Sequence, residues 1–372
     1  MHLAWLEMRD FRSYQEITLR PDPGINVLVG PNGAGKTSVL EGIGYLATLN
    51  SFRRSPEASL VRDSAEAAIV RGEFATSTGG ATIEIEIPAT GRRRVLLNGK
   101  RAASRADIAA VTAVVAFLPD DLDLVKRGPA YRREYLDDVA AQAWPAAGVD
   151  QSDYERALRQ RNALLRKEGR RADEATLDVW DDRVSRLGAK VLERRLAAAA
   201  LLQPEVAALY AEMGEGAERF SWSYLSSGLG EIGLPASADT LTGPLHDAMA
   251  SARQDDLDRR TTTVGPHRDE VVMRLDARDA RTRTSQGEQR SIALGLRIAA
   301  FRVLSERRGS RPVLLLDDVF SELDADRGRR LVGHLPETQV FVTSARAEEV
   351  PLVGTRWTVA QGGEIRPVLS TT

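Results

Sequence analysis

Residues Gly30-Pro31-Asn32-Gly33-Ala34-Gly35-Lys36-Thr37 match G-x-x-x-x-G-K-[ST], the phosphate-binding P-loop. Such a loop works between a buried strand and the N-terminus of a helix, and the flanks here agree. Ile25-Asn26-Val27-Leu28-Val29 reads as the strand, and Ser38-Val39-Leu40-Glu41-Gly42-Ile43 opens the helix. Glycines let successive backbone N–H groups turn inward around phosphate oxygens. The lysine reaches the terminal phosphates, and the threonine hydroxyl holds Mg²⁺. The helix N-terminus adds a partial positive charge at the same place. Positions 30–38, including Ser38, are therefore the expected nucleotide contacts.

The rest of the chain must say what the nucleotide is for. Its 372 residues leave room for two domains or one large one. No run of about 18 apolar residues occurs, and Met1-His2-Leu3-Ala4-Trp5-Leu6-Glu7 is not a secretory leader, so a cytoplasmic location is expected. The absence of cysteine excludes disulfides and thiolate metal sites. A net charge of −2 does not announce a nucleic-acid binder, yet a local basic patch can bind while the remainder is acidic. The basic residues are nearly all arginine, and Lys36 stands out as one of few lysines.

The fold class read from the pattern is α/β. Leu3–Arg9 and Ile17–Leu19 read as strands before the turn cluster Pro21-Asp22-Pro23-Gly24. Ala68–Phe74 and the strictly alternating Thr82-Ile83-Glu84-Ile85-Glu86-Ile87 read as strands with one buried face, and Asn98-Gly99 marks a hairpin. Together they predict an antiparallel β subdomain beside the P-loop sheet. From Tyr131 to about Leu209 the pattern is charged, alanine-rich and helical, with a break at Lys167-Glu168-Gly169-Arg170-Arg171 that suggests the tip of a helical hairpin. Residues 214–243 read as loop with some extended structure, and 244–258 as a further helix. The expected organisation is one nucleotide-binding domain built from both chain ends, 1–125 and 260–372, with a helical insertion (a lid) at 126–259.

Three more pieces lie downstream. Ser285-Gln286-Gly287-Glu288-Gln289-Arg290-Ser291 precedes an apolar helix, with Ser285 as cap and Glu288 three residues on. Val313-Leu314-Leu315-Leu316-Asp317-Asp318 is an apolar strand ending in two carboxylates. In a parallel sheet it would end beside the phosphates, where Asp317 can take Mg²⁺ and Asp318 can orient the attacking water. Ser321-Glu322-Leu323-Asp324 follows, then the apolar strand Gln339–Ser344.

In this order the pieces resemble an ABC-type ATPase, with the Ser285 helix in the role of the signature motif. Phe11-Arg12-Ser13-Tyr14 resembles the N-terminal motif of SMC-like ATPases. Adding Gly265-Pro266-His267-Arg268-Asp269, Asp120–Lys126 and Arg132–Asp137, nearly the whole length is similar to the RecF family. The resemblance implies ATP and Mg²⁺ as cofactors, with Thr37 and Asp317 on the metal. It implies Arg12, Ser285, Gly287 and Gln289 as further nucleotide contacts, and Lys36, Asp317, Asp318, Ser285 and Thr343 as the residues of hydrolysis. It further implies an ATP-dependent head-to-tail homodimer that binds duplex and gapped DNA without sequence preference. Such a protein acts with RecR and RecO to help RecA load, in repair, replication restart and the SOS response. The resemblance implies hydrolysis stimulated by DNA, and two departures from the broad ABC pattern bear on its rate, which is expected to be slow. The second acid is Asp318 rather than glutamate, and Thr343 lies near where the switch histidine would stand.

Two other readings compete. An ABC transporter's ATPase subunit would not need the long insertion, and a small-molecule P-loop kinase would need a substrate pocket that no segment announces. Stimulation of ATP hydrolysis by duplex DNA would separate the first reading from both. The candidate DNA contacts are Arg92, Arg93, Arg94, Lys100 and Arg101 around one hairpin, and Arg166, Lys167, Arg170 and Arg171 at the helical tip.

Overall fold

The computed structural model describes residues 1–76, 79–212, 219–323, 325–335 and 337–368. Asp324 therefore lies outside the described residues. The chain forms two compact units, Met1–Asp121 with Ala300–Thr372, and Leu122–Ala299.

The first unit begins with strands β1 (His2–Phe11), β2 (Tyr14–Leu19) and β3 (Ile25–Val29) and helix α1 (Lys36–Thr48). β4 (Ala67–Thr76), β5 (Gly79–Pro88), β6 (Arg94–Leu97), β7 (Lys100–Arg101), α2 (Arg105–Val111) and β8 (Val114–Phe117) follow. An antiparallel sheet runs β2-β1-β4-β5-β6-β7. The alternation in β5 places Ile83, Ile85 and Ile87 at 0% exposure. Each such side chain contributes about 1.5–3 kcal/mol relative to solvent exposure. Helix α1 touches β1, β4 and β5 of this sheet on one side. It approaches β1 closely, because a Cβ on Gly42 would lie 2.2 Å from Met8 Sδ.

The second unit holds α3 (Asp123–Lys126), α4 (Pro129–Ala143), α5 (Pro145–Glu168) and α6 (Glu174–Glu212). A short turn at Gly169–Arg171 joins α5 to α6, which is the expected hairpin tip. β9 (Phe220–Ser226), β10 (Gly230–Ile232), α7 (Ala238–Ser251), α8 (Arg253–Arg259), β11 (Glu270–Leu275), β12 (Arg278–Asp279) and α9 (Gln286–Arg308) follow, the last from Ala300 on counting with the first unit. Two expectations change here. Helix α7 begins at Ala238 on the Ser237 cap and carries Pro244 inside it, so Thr242-Gly243-Pro244 is no break. A proline in an early turn removes a single helix hydrogen bond, which packing of Leu241, Leu245 and Met249 offsets. The boundary also moves. The return to the first unit falls at residue 300 rather than 260, because β11 pairs with β9 over Glu270–Leu275 in the sheet β10-β9-β11-β12. Tyr135 Oη also donates to the Leu296 carbonyl at 2.6 Å, holding the first part of α9 to α4.

The chain then completes the first unit with β13 (Val313–Asp317), α10 (Val319–Glu322), α11 (Ala325–His334), β14 (Val340–Ser344), β15 (Thr355–Val359) and β16 (Ile365–Pro367). The second sheet of this unit runs β16-β15-β3-β14-β13-β8, parallel except for β16. All five residues of β13 and of β14 are buried, as expected of strands covered on both faces. Helix α1 touches β8, β13 and β14, so it lies between the two sheets.

Candidate nucleotide-binding site

The register of the parallel sheet aligns Asp317 with Thr343, Thr343 with Leu28, and Ser344 with Val29. The carboxyl ends of β3, β13 and β14 thus meet where the P-loop leaves β3, the usual place for a ligand in such a sheet. Gly30 is glycine by close approach, since a Cβ there would lie 2.1 Å from the Val359 carbonyl oxygen. Gly35 is glycine by conformation, with φ 103° at the N-cap of α1. Beyond it, the first N–H groups of α1 lack intrahelical partners and are available to an anion.

Lys36 is buried in the loop, and its Nζ donates to the carbonyls of Gly30 at 2.7 Å and Pro31 at 3.1 Å. Burial lowers its pKa, while the carboxylates of Asp318 and Asp317 oppose the shift. Phosphate oxygens would compete with those two carbonyls for the ammonium. Thr37 Oγ1 donates to Asp317 Oδ1 at 2.9 Å, and Thr343 Oγ1 donates to the same oxygen at 2.7 Å. Thr343 Oγ1 in turn accepts from the Asp318 N–H at 2.9 Å. Asp318 sits at φ 51°, and its Oδ1 is buried with no hydrogen-bond partner among the described residues. Burial raises its pKa and the Asp317 charge adds to this, while the Ser321 hydroxyl and Lys36 oppose it. Asp317 thus holds a fixed network, while Asp318 keeps a free oxygen. The Thr37 hydroxyl and the Asp317 carboxylate are hard oxygen donors placed side by side, a donor set that suits Mg²⁺.

These residues line an open cavity of about 640 Å³ together with Arg12, Arg53, Asn32 and Gly33. Arg12, at φ 55° in the turn between β1 and β2, forms a bidentate pair with Glu41 at 2.8 and 2.7 Å. It also donates to Ser55 Oγ and the Ser59 carbonyl. Its guanidinium is therefore braced against α1 at the cavity wall. Neither Glu41 nor Arg53 was expected from the sequence. Glu41 is 0% exposed inside α1, and Arg53 lies in an irregular segment that matches no motif.

Ser285, Gly287 and Gln289 belong to the second unit and form the start of α9. A reciprocal capping box is present, with Ser285 Oγ accepting from the Glu288 N–H at 3.2 Å and Glu288 accepting from the Ser285 N–H. That N–H holds the Glu288 carboxyl below its usual pKa. The Gln289 side chain is buried and donates to the carbonyls of Ala280 and Arg281, so it braces the turn before the helix.

Among the candidate DNA contacts, Arg92, Arg94, Lys100 and Arg101 are exposed. Arg93 is a correction. It donates to the Leu49 carbonyl at 2.9 Å and pairs with Glu57, so it is a strut of the fold. At the helical tip Arg166, Lys167, Arg170 and Arg171 are exposed, with Arg170 paired to Asp258. No helix among the described residues is long and apolar enough to cross a membrane.

The profile of the RecF/RecN/SMC N terminal domain matches residues 2–361. A DNA replication and repair protein RecF from Streptomyces avermitilis is 40% identical over 372 residues, covering 97% of this chain and 99% of the relative. The protein of the same name from Acidothermus cellulolyticus is 40% identical over 363 residues, covering 96% and 98%. Among solved structures, the recombination mediator protein RecF with ATP, of the RecFOR pathway, superposes with a TM-score of 0.91 at 28% identity, covering 99% of this chain and 98% of that one. An SMC head bound to the winged-helix domain of ScpA, at 15% identity and TM-score 0.55, shares the fold.

Proposed function

The chain belongs to the RecF/RecN/SMC N terminal domain family of ABC-type ATPases, and from that premise we propose that it is an ATP-binding, DNA-binding recombination mediator of the RecF type. In this reading ATP drives a head-to-tail homodimer that binds duplex and gapped DNA without sequence preference. With RecR and RecO it helps RecA load, in the cytoplasm, during repair, replication restart and the SOS response. Hydrolysis is slow and is stimulated by DNA.

The observation that carries the ATPase reading is the network in which Thr37 and Thr343 both donate to Asp317 while Asp318 keeps an unpartnered oxygen beside it. The backbone N–H groups at the start of α1 bind the phosphates, and Lys36 adds a positive charge where negative charge accumulates. Mg²⁺, when bound by Thr37 and Asp317, would neutralise phosphate charge. Asp318 accepts a hydrogen bond from the attacking water and orients it. Its side chain is shorter than a glutamate's and reaches less far toward that water, which favours slow turnover.

The test is ATP binding and hydrolysis by the purified chain and by Lys36→Met, with and without duplex DNA. The unaltered chain should bind ATP tightly and hydrolyse it faster with DNA, and Lys36→Met should do neither. Equal nucleotide affinity in the two proteins would remove the P-loop assignment. Hydrolysis indifferent to DNA would favour a transporter-type or kinase-type role.

A further inference from the structure

Tyr14 closes the Phe11-Arg12-Ser13-Tyr14 segment, and nothing in the mechanism above uses it. It opens β2, facing Phe11 across the β1–β2 hairpin, and is 0% exposed. Its ring is clamped between two glycines. A Cβ on Gly35 would lie 2.8 Å from the Tyr14 Oη and 2.9 Å from its Cζ, and a Cβ on Gly363 would lie 2.7 Å from its Cδ1. Gly35 is the last P-loop glycine and the N-cap of α1, and no side chain caps that helix. Gly363 stands in the turn between β15 and β16. The phenol therefore supports the residue from which the phosphate-facing N–H groups of Lys36, Thr37 and Ser38 start.

The ring accounts for the packing, but not for the hydroxyl. Tyr14 Oη is buried and has no hydrogen-bond partner among the described residues. Burial also pushes its pKa well up, so it stays a neutral donor. A buried hydroxyl without a partner destabilises, and phenylalanine would fill the same space without that penalty. The P-loop backbone beside it is also the part of the site whose hydrogen bonds are open to exchange. Lys36 Nζ is held by the Gly30 and Pro31 carbonyls, and a phosphate would draw it away.

We propose that Tyr14 is a positioning residue of the nucleotide site, whose hydroxyl gains its hydrogen-bond partner when the P-loop closes on phosphate. Binding of a nucleoside triphosphate is then favoured by a hydrogen bond within the protein as well as by bonds to the ligand. The inference rests on the nucleotide-binding reading of the P-loop, which ATP binding by the unaltered chain checks separately.

The test is Tyr14→Phe, which keeps the ring and deletes the hydroxyl. Thermal melts without nucleotide and ATP titrations are run on both proteins. Without nucleotide the variant should melt at the same temperature or higher. Its ATP affinity should fall about tenfold, the scale of one hydrogen bond, and its ATP-induced rise in melting temperature should shrink. A role in packing alone would leave the affinity unchanged, and that result overturns the proposal. A lower melting temperature without nucleotide would mean that the hydroxyl already has a partner, and would overturn it equally.

Discussion

Thr37 Oγ1 donates a hydrogen bond of 2.9 Å to Asp317 Oδ1, tying the first turn of α1 to the end of β13 across 280 positions of sequence. The same oxygen accepts from Thr343 on β14 at 2.7 Å. Asp317 is thus a joint of three neighbouring elements as well as a candidate metal ligand. Asp318, one residue on, makes no such joint, and its Oδ1 has no partner among the described residues. The two adjacent acids are chemically alike and structurally opposite.

That contrast predicts different mutants. Asp317→Asn removes the charge at the Thr37 joint, so Mg²⁺ dependence and ATP affinity should both weaken. Asp318→Asn should bind ATP as before and turn over about a hundredfold more slowly, the usual scale for losing a positioned acid–base group. ATP-bound dimer should then accumulate. Titrations with and without Mg²⁺, paired with single-turnover hydrolysis, read both effects. Two mutants that bind and hydrolyse alike would refute the division of roles.

Thr343 should be felt through its neighbours. Its hydroxyl donates to Asp317 and accepts from the Asp318 N–H, and that second bond helps hold Asp318 in its left-handed conformation. Thr343→Val keeps the shape, leaves the Asp318 N–H without its acceptor and takes one of the two donors from Asp317 Oδ1, which keeps Thr37, a cost of about 1–3 kcal/mol in denaturant melts. Turnover should fall more than ATP affinity does, and Thr343→Ser should restore most of it. Turnover unchanged in the valine variant would reduce Thr343 to a core residue.

Much of this site was legible in the sequence because its parts are local. The P-loop and the apolar strand ending in Asp317 and Asp318 are each read within a few residues, as is the Ser285 cap of the other unit, since strand ends and helix starts have local signatures. What was hidden depends on contacts distant in sequence. The Arg12–Glu41 pair joins a turn to a helix interior, and Glu41 looks like any helical glutamate. Arg93 sits in an arginine run and reads as a candidate DNA contact, yet it reaches the Leu49 carbonyl. The unit boundary moved from 260 to 300 because β11 pairs with β9, a register that no local pattern encodes.

His267 gives a pH prediction. Its ring is largely buried, with Nδ1 2.7 Å from Tyr154 Oη and Nε2 3.1 Å from the Thr262 carbonyl. Burial, with the charges of Arg268, Arg133 and Arg195 adding, lowers its pKa from 6.5 to about 4, against the pull of the Thr262 carbonyl. The unfolded chain therefore binds this proton more readily than the folded one. The stability linked to His267 is fully present above pH 6.5 and is lost as the pH falls toward 4, up to about 3 kcal/mol in all. Asp269 nearby has its pKa raised by burial and acts in the opposite sense, so the readout is a difference between two proteins. Denaturant melts of the unaltered chain and of His267→Gln at several pH values should show the variant losing less stability on acidification. Parallel curves would mean that the imidazole titrates alike folded and unfolded.

Ser285 separates a helix cap from a signature residue. Its reciprocal box with Glu288 is what any capped helix would show, and it leaves Ser285 exposed at the start of α9. If α9 is a signature helix, that hydroxyl and the neighbouring N–H groups face the terminal phosphate held by a second copy of the chain. They would then add nothing to ATP binding by one copy. Ser285→Arg should bind ATP near normally yet fail to dimerise and fail to hydrolyse, because the cation fills the space the partner's phosphate needs. Loss of the cap alone should lower stability by about 1 kcal/mol, and Ser285→Ala measures that part separately. Sedimentation with ATP and a thermal melt on both variants resolve the two effects. An arginine variant that dimerises and turns over like the unaltered chain, at the stability of the alanine variant, would leave Ser285 a cap and remove the shared-site mechanism.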